Sequence, residues 1–169
     1  MKITEEYIGN AGVKTIFEYE DVDSFDHLLG ERVTQAYAVC FVSEKMIVVH
    51  KVINDSWSLI GGTIDGDETF EQALVREIHE EGNLKMLSAK PIGFQKATNT
   101  ETGVTDIQLR YVCTAEPYGP FEKDPDGGID RVEFIDPKDY KQYFDWGKIG
   151  DRIIERALEI RPSVRRSGV

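Results

Sequence analysis

Apolar and polar positions change period several times along the chain, and each change predicts an element. Residues 13–19 alternate as a half-buried strand does, and residues 2–8 are placed to pair with them across Gly9, Asn10, Ala11 and Gly12. Residues 24–29 predict a helical turn. Residues 36–42 and 46–50 are apolar, β-branched runs split by Ser43, Glu44 and Lys45, the pattern of a hairpin. Residues 57–60 form a short strand that leads into Gly61 and Gly62. Residues 91–97 and 104–113 predict two more strands, the second turning Ile107, Leu109, Tyr111 and Cys113 to one side. Residues 116–129, rich in Pro, Gly and Asp, predict a loop, and residues 131–135 a short strand. Asp136 and Pro137 open a helix as cap and first-turn residue. Residues 148–160 predict a final amphipathic helix with Ile149, Ile153, Ala157 and Ile160 on one stripe. Strands mixed with helices in this order predict an α/β fold, an α/β/α sandwich around a mixed central sheet.

A further helix starts at Thr69, where Gln72 three residues on completes a capping box. Glu77, Glu80 and Glu81 follow at i, i+3 and i+4. At about 100° per residue they share an arc of roughly 100°, on the face that also carries Phe70, Ala73 and Leu74. Carboxylates that continue an apolar stripe point partly inward, where unpaired negative charge is costly. Arg76, one turn before Glu80, is placed to hold that carboxylate, but one arginine cannot neutralise three. A divalent cation can, and hard oxygen ligands favour Mg²⁺ or Mn²⁺. The bland alternative for such a cluster is a solvated acidic helix face.

The spacing around this helix narrows the reading. Five residues separate Gly62 from Glu68, seven separate Glu68 from Arg76-Glu77, and Ile78, His79, Glu80 and Glu81 follow. Residues 62–84 resemble the Nudix box, G-x5-E-x7-R-E-U-x-E-E-x-G-U with U a bulky apolar residue. Every fixed position matches except Asn83, which stands where the family has glycine. Asn is the residue next most tolerant of a left-handed turn. Ile60 and Asp65 also replace the proline and glutamate of many members.

The resemblance implies the same sandwich fold and a hydrolase that cleaves a phosphoanhydride in a nucleoside diphosphate linked to another moiety. It implies Glu77, Glu80 and Glu81 as metal ligands, Arg76 as the residue that orients the site, Glu77 or Glu81 as general base, and Glu68 in support. Gly61 and Gly62 allow close approach of a phosphate or metal to the main chain; their ordinary alternative is a strand-end turn. Lys51, at a strand end, is a candidate phosphate contact or a plain exposed lysine. The family often adds an acidic ligand from outside the box, for which Asp126 and Asp130 are candidates. Tyr118 and Phe121 are placed either to stack on a base or to pack. His27 and His79 make no metal spacing, and Arg161, Arg165 and Arg166 read as a solvated tail. A rival reading is a Nudix-like domain that binds a nucleotide or nucleotide sugar without turnover. Arg76, Glu77, Glu80 and Glu81 occurring together favour hydrolysis, because a pure binder has less need of all four.

Composition sharpens the picture at its edges. A chain of 169 residues, 40% hydrophobic and 30% charged, suits one domain over residues 1–169, with residues 1–20 as an added hairpin and 162–169 as a tail. A net charge of −11 argues against coating nucleic acid or a membrane surface, both of which need a basic face. Cys40 and Cys113, 73 residues apart in apolar runs, read as buried thiols of a reducing compartment. With no apolar run of membrane-spanning length, a cytoplasmic monomer or homodimer is expected, the N-terminal strands offering a pairing edge.

Overall fold

The alternating stretches pair into one mixed sheet. In the computed structural model, which describes residues 1–167 and side chains through Arg161, the strands are β1 (Lys2–Ile8), β2 (Lys14–Asp21), β3 (Val33–Val42), β4 (Lys45–Lys51), β5 (Ser56–Ser58), β6 (Ile60–Thr63), β7 (Leu84–Asn99), β8 (Thr105–Pro117) and β9 (Ile129–Ile135). Their order is β1-β2-β7-β8-β3-β4-β5, with β6 on β3 and β9 on β4. β3 and β8 are parallel; the other pairs are antiparallel. Helices α1 (Phe70–Gly82) and α2 (Gly147–Ser167) cover the two faces. This is the α/β/α sandwich with a mixed sheet that the pattern predicted.

Strand alternation divides the core. Ala36, Ala38 and Cys40 of β3 join Ile107, Leu109, Tyr111 and Cys113 of β8 under Leu74 and Ile78 of α1. Tyr37, Val39 and Phe41 point the other way, to Ile149, Ile153 and Ala157 of α2. Cys40 and Cys113, far apart in sequence, face each other across the β3–β8 pair as buried free thiols.

Several boundaries differ from the sequence expectation. The β3–β4 hairpin is real but pairs only at Phe41–Met46 and Val42–Lys45; β4 then spends its length on β9 and β5. β7 begins at Leu84, directly after α1, not at residue 91. The helical turns at Asp26–Leu28 and Pro137–Gln142 are 3₁₀, the second capped by Asp136, whose carboxylate accepts the Lys138 N–H at 3.1 Å. α2 continues past residue 160 to Ser167. Arg161 is therefore not in a solvated tail: it is buried, stacks 3.9 Å over Phe41, and bonds the Ser43 carbonyl and Glu44. The side chains of Arg165 and Arg166 lie outside the described residues.

The β1–β2 hairpin and α2 lock together. Glu5 of β1 accepts the Lys148 and Ile149 N–H groups at 2.9 and 3.2 Å, so a carboxylate from another strand caps a helix that has no acidic residue in its own first turn. Arg152 of α2 grips Asp21 of β2 through its Nε and Nη2, the shortest contact being 2.6 Å. No helix among the described residues is long and apolar enough to cross a membrane.

Candidate active site

α1 is fixed at both ends by its own sequence. Thr69 Oγ1 accepts the Gln72 N–H at 3.1 Å and Gln72 Oε1 accepts the Thr69 N–H at 2.9 Å, completing the capping box. Asn83 closes the helix at φ 53°, ψ 45°, the left-handed conformation that its place in the box demands. Its Nδ2 also donates to the Pro120 carbonyl at 3.1 Å, tying the helix end to the β8–β9 loop.

Between these caps the three glutamates occupy unlike surroundings. Glu81 is buried, and its Oε1 accepts the Gly61 N–H at 3.0 Å. Burial raises its pKa from 4.5 to about 8; the Gly61 bond and the Lys51 charge oppose this, while Glu77 and Asp124 reinforce it. Glu77 lies under Gly62 and is raised too, by burial working against its bond to Arg76. Glu80 is partly exposed and meets Arg76 Nη1 at 3.3 Å.

Arg76 does more than hold Glu80. Its Nε and Nη2 grip both oxygens of Glu68 at 2.8 and 2.9 Å, its Nη1 donates to Glu77 at 3.0 Å, and Nη2 reaches the Thr63 carbonyl at 2.9 Å. Asp65 pairs with it at 3.3 Å. These guanidinium bonds, with the Asp65 N–H, hold the Glu68 carboxyl down at about 2. Arg76 thus staples the segment before α1 to the helix face that carries the glutamates.

Gly61 and Gly62 sit within β6 rather than in a loop, and the close approach they permit is to their own chain. A Cβ on Gly61, at φ 144°, would fall 2.3 Å from the Ala36 carbonyl oxygen; one on Gly62 would fall 2.6 Å from the Glu77 carboxylate. The glycines therefore let α1 press its carboxylates against the sheet. Lys51 is partly buried: its Nζ donates to the Tyr37 hydroxyl at 3.1 Å and lies 5.0 Å from that ring.

Among the described residues no three His, Cys, Asp or Glu side chains converge as a ready metal cage. Glu77 and Glu80 turn to Arg76, and Glu81 to Gly61. The donor set still suits a hard cation: three carboxylates lie one turn apart, and the most buried one has no arginine bond.

The outer acidic candidates separate. Asp126 is exposed, and Asp130 bonds His50 Nδ1 at 2.6 Å, His50 Nε2 meeting Asp55 at 2.7 Å. Asp124, which sequence reasoning passed over, is the buried one. It accepts the N–H groups of Asp126, Gly128 and Ile129 at 3.0, 3.1 and 3.0 Å, and its charge acts on Glu81. The Asp-Pro-Asp-Gly run at 124–127 carried that signal, since Asp commonly folds the backbone after it onto its own carboxylate. Tyr118 is exposed and stacks edge-on with His79, Phe121 packs onto the core under α1, and His27 meets Phe94.

The NUDIX domain family model matches residues 32–157. Among solved structures, the fold is similar to the Bacillus subtilis pyrophosphohydrolase BsRppH at 14% identity, over 95% of this chain and 99% of that one, with a TM-score of 0.68. It is similar to a NUDIX hydrolase from Nitrosomonas europaea at 18% identity, over 75% and 89% of the two chains, TM-score 0.58. The NUDIX domain of Shewanella oneidensis NrtR, solved in complex with ADP ribose, aligns at 19% identity over 80% and 97%, TM-score 0.52. No curated protein matches the chain in sequence. At such identities the structural likenesses speak for the fold, and the family match, which spans most of the chain and includes the whole glutamate helix, speaks for descent. The chain belongs to the Nudix hydrolase family.

Proposed function

We propose that this protein is a Nudix-type pyrophosphohydrolase that uses Mg²⁺ or Mn²⁺ to cleave the phosphoanhydride of a nucleoside diphosphate linked to another moiety. The observation that carries the reading is Glu81, a buried carboxylate fixed by the Gly61 N–H one turn from Glu77, on a helix whose other site carboxylates are organised by Arg76. Glu77, Glu80 and Glu81 would hold the cation, which would neutralise phosphoryl oxygens and lower the pKa of the attacking water. Arg76 sets where Glu77 and Glu80 point, by gripping both together with Glu68. Glu81 accepts the proton of the water, because the Gly61 N–H fixes its oxygen at 3.0 Å beside the other site carboxylates. Gly61 and Gly62 let Glu77 and Glu81 sit against β6, where the phosphates would meet them, and Lys51 would supply a cation to a phosphate from the neighbouring strand end. We read residues 1–169 as one domain with the β1–β2 hairpin as its addition.

The binding-only alternative has no observation of its own in this chain, which keeps Arg76 and all three helix glutamates together on α1. A hydrolysis screen over nucleoside triphosphates, nucleotide sugars, dinucleoside polyphosphates and ADP-ribose tests the reading, with products separated by chromatography. We expect at least one class to be cleaved with Mg²⁺ or Mn²⁺ present and none after chelation. Full turnover in a verified metal-free sample, or no turnover of any class with metal, would overturn it.

A further inference from the structure

On the α2 side of the sheet a pocket of about 790 Å³ is walled in part by Phe17, Tyr37, Lys51, Gln108, Arg110 and Trp146. Rings and polar groups share the lining, and the buried one among its charged groups is Arg110. This side chain is 4% exposed, donates Nη1 to the Leu109 carbonyl at 3.1 Å and Nη2 to Gln108 Oε1 at 3.1 Å, and leaves its Nε without an acceptor. Gln108 Oε1 also accepts Gln95 Nε2 at 3.1 Å, so its two lone pairs are in use. Among the described residues no carboxylate pairs with Arg110, and burial lowers its pKa to about 10. The Nε is closed off, but Nη1 and Nη2 each keep one N–H beyond these bonds; a buried guanidinium with no counter-charge is costly alone and is satisfied by an occupant that offers acceptors to that pair.

The pocket is linked to the glutamate site through Tyr37 and Lys51. Tyr37 stands opposite Arg110 in the β3–β8 pair and opposite Gly61 in the β3–β6 pair. Its ring lies 5.3 Å from the Arg110 guanidinium and 5.0 Å from the Lys51 ammonium, and Gly61 holds Glu81. Lys51 lines the pocket and its charge acts on Glu81, so a substrate with its diphosphate at the glutamates would extend its organic end past Lys51 toward this pocket. Glu6 and Asp145 also line it, which disfavours a further phosphate there.

We infer that the pocket seats the nucleobase of the substrate and that Arg110 is the specificity-determining residue, accepting the keto edge of guanine or hypoxanthine and rejecting the amino edge of adenine. The inference rests on the nucleotide hydrolase reading above. A 6-oxo purine presents N7 and O6 side by side, two acceptors that match a guanidinium fork. Adenine presents N7 beside an amino group, which sets donor against donor and leaves buried N–H groups unpaired. Phe17, Tyr37 and Trp146 provide rings against which either purine stacks, so stacking supplies affinity and Arg110 supplies the choice.

Calorimetric titration of the intact protein with guanosine, inosine and adenosine monophosphates tests this, because none contains a phosphoanhydride and all three carry the same phosphate. Guanosine and inosine monophosphates should bind tighter than adenosine monophosphate by roughly ten-fold or more, and Arg110→Met should collapse that ratio toward one. Equal affinities in the unmodified protein overturn the inference whether or not the variant folds. Equal weakening of all three ligands by Arg110→Met also overturns it, by showing that Arg110 binds phosphate. Base preference without hydrolysis of any phosphoanhydride would sink the hydrolase reading instead, and hydrolysis without base preference would sink only this one.

Discussion

Glu81, the proposed base, also carries a cost to the fold. Its carboxyl is buried with one N–H partner, and burial lifts its pKa to about 8. Replacing it with glutamine keeps the shape and the Gly61 bond while removing the charge. Turnover should fall by about two orders of magnitude or more, the scale of losing one well-placed electrostatic group. Melts in chelator at neutral pH should show stability kept or raised, because a desolvated carboxyl has been replaced by a neutral amide. Near-normal rates for Glu81→Gln would move the catalytic base elsewhere, Glu77 being next. The box residues were legible one by one because the code of a helix is local: i, i+3 and i+4 are neighbours whatever the rest of the chain does. The strength of Arg76 on Glu68 was not. Those residues are eight positions apart and meet only because the segment before α1 folds back, through the Glu68 N–H bond to the Asp65 carbonyl and the Asp65 N–H bond to Glu68 Oε1.

At the scale of the element, α1 is specified almost entirely by its own sequence. Thr69 and Gln72 start it, Leu74 and Ile78 bury one face, and Asn83 stops it. Thr69→Ala should therefore destabilise the protein by about 1 kcal/mol. Asn83 tests two effects against each other. Glycine relieves the strain of φ 53° but loses the bond to Pro120 and gains freedom in the unfolded chain, so Asn83→Gly should shift stability by no more than about 1 kcal/mol. Alanine keeps the strain and loses the bond, and should melt lower than glycine. Urea unfolding of the two variants decides it: glycine more damaging than alanine would mean that its freedom in the unfolded chain outweighs the strain relieved at φ 53°. Strand limits were harder to read than helix limits. A single residue joins α1 to β7, with no Gly or Pro between them, so the apolar positions Leu84, Met86 and Leu87 had no punctuation to mark a strand start. Gly61 and Gly62 looked like a loop because their strand character comes from pairing with β3, which no local window contains.

Over the whole molecule, what the sequence hid is what the sheet brings together. Tyr37 and Arg110 are paired by the parallel contact of β3 with β8, and the pocket they share also takes residues from β1, β2, β4 and β7. Alternation correctly put Ile107, Leu109, Tyr111 and Cys113 toward one face, yet said nothing of what stood between them on the other. The docking of α2 onto the hairpin was equally silent, because Asp21 and Arg152 lie at opposite ends of the chain. Both side chains are mostly buried, and the Asp21 carboxylate takes Nε and Nη2 of Arg152 with a closest approach of 2.6 Å. Burial alone would raise the Asp21 pKa, but the hydrogen bonds and charge of Arg152, helped by the N-terminal ammonium and the Tyr19 hydroxyl, outweigh it and hold the carboxyl below its ordinary 3.8. The unfolded chain therefore takes up a proton at Asp21 before the folded one does. Stability from this pair is fully present above about pH 4 and drains away as the pH falls through the depressed folded value. Asp21→Asn should cost about 2 kcal/mol at pH 7, less than the loss typical of a broken buried pair because Glu155 and Glu159 still contact Arg152. The gap between the two proteins should narrow as the pH drops below 4, because the native carboxyl is then being neutralised as well. Thermal melts of both at pH 7, 4 and 3 measure this directly. A gap that stays constant across that range would mean that the contact between hairpin and α2 is held by shape rather than by charge.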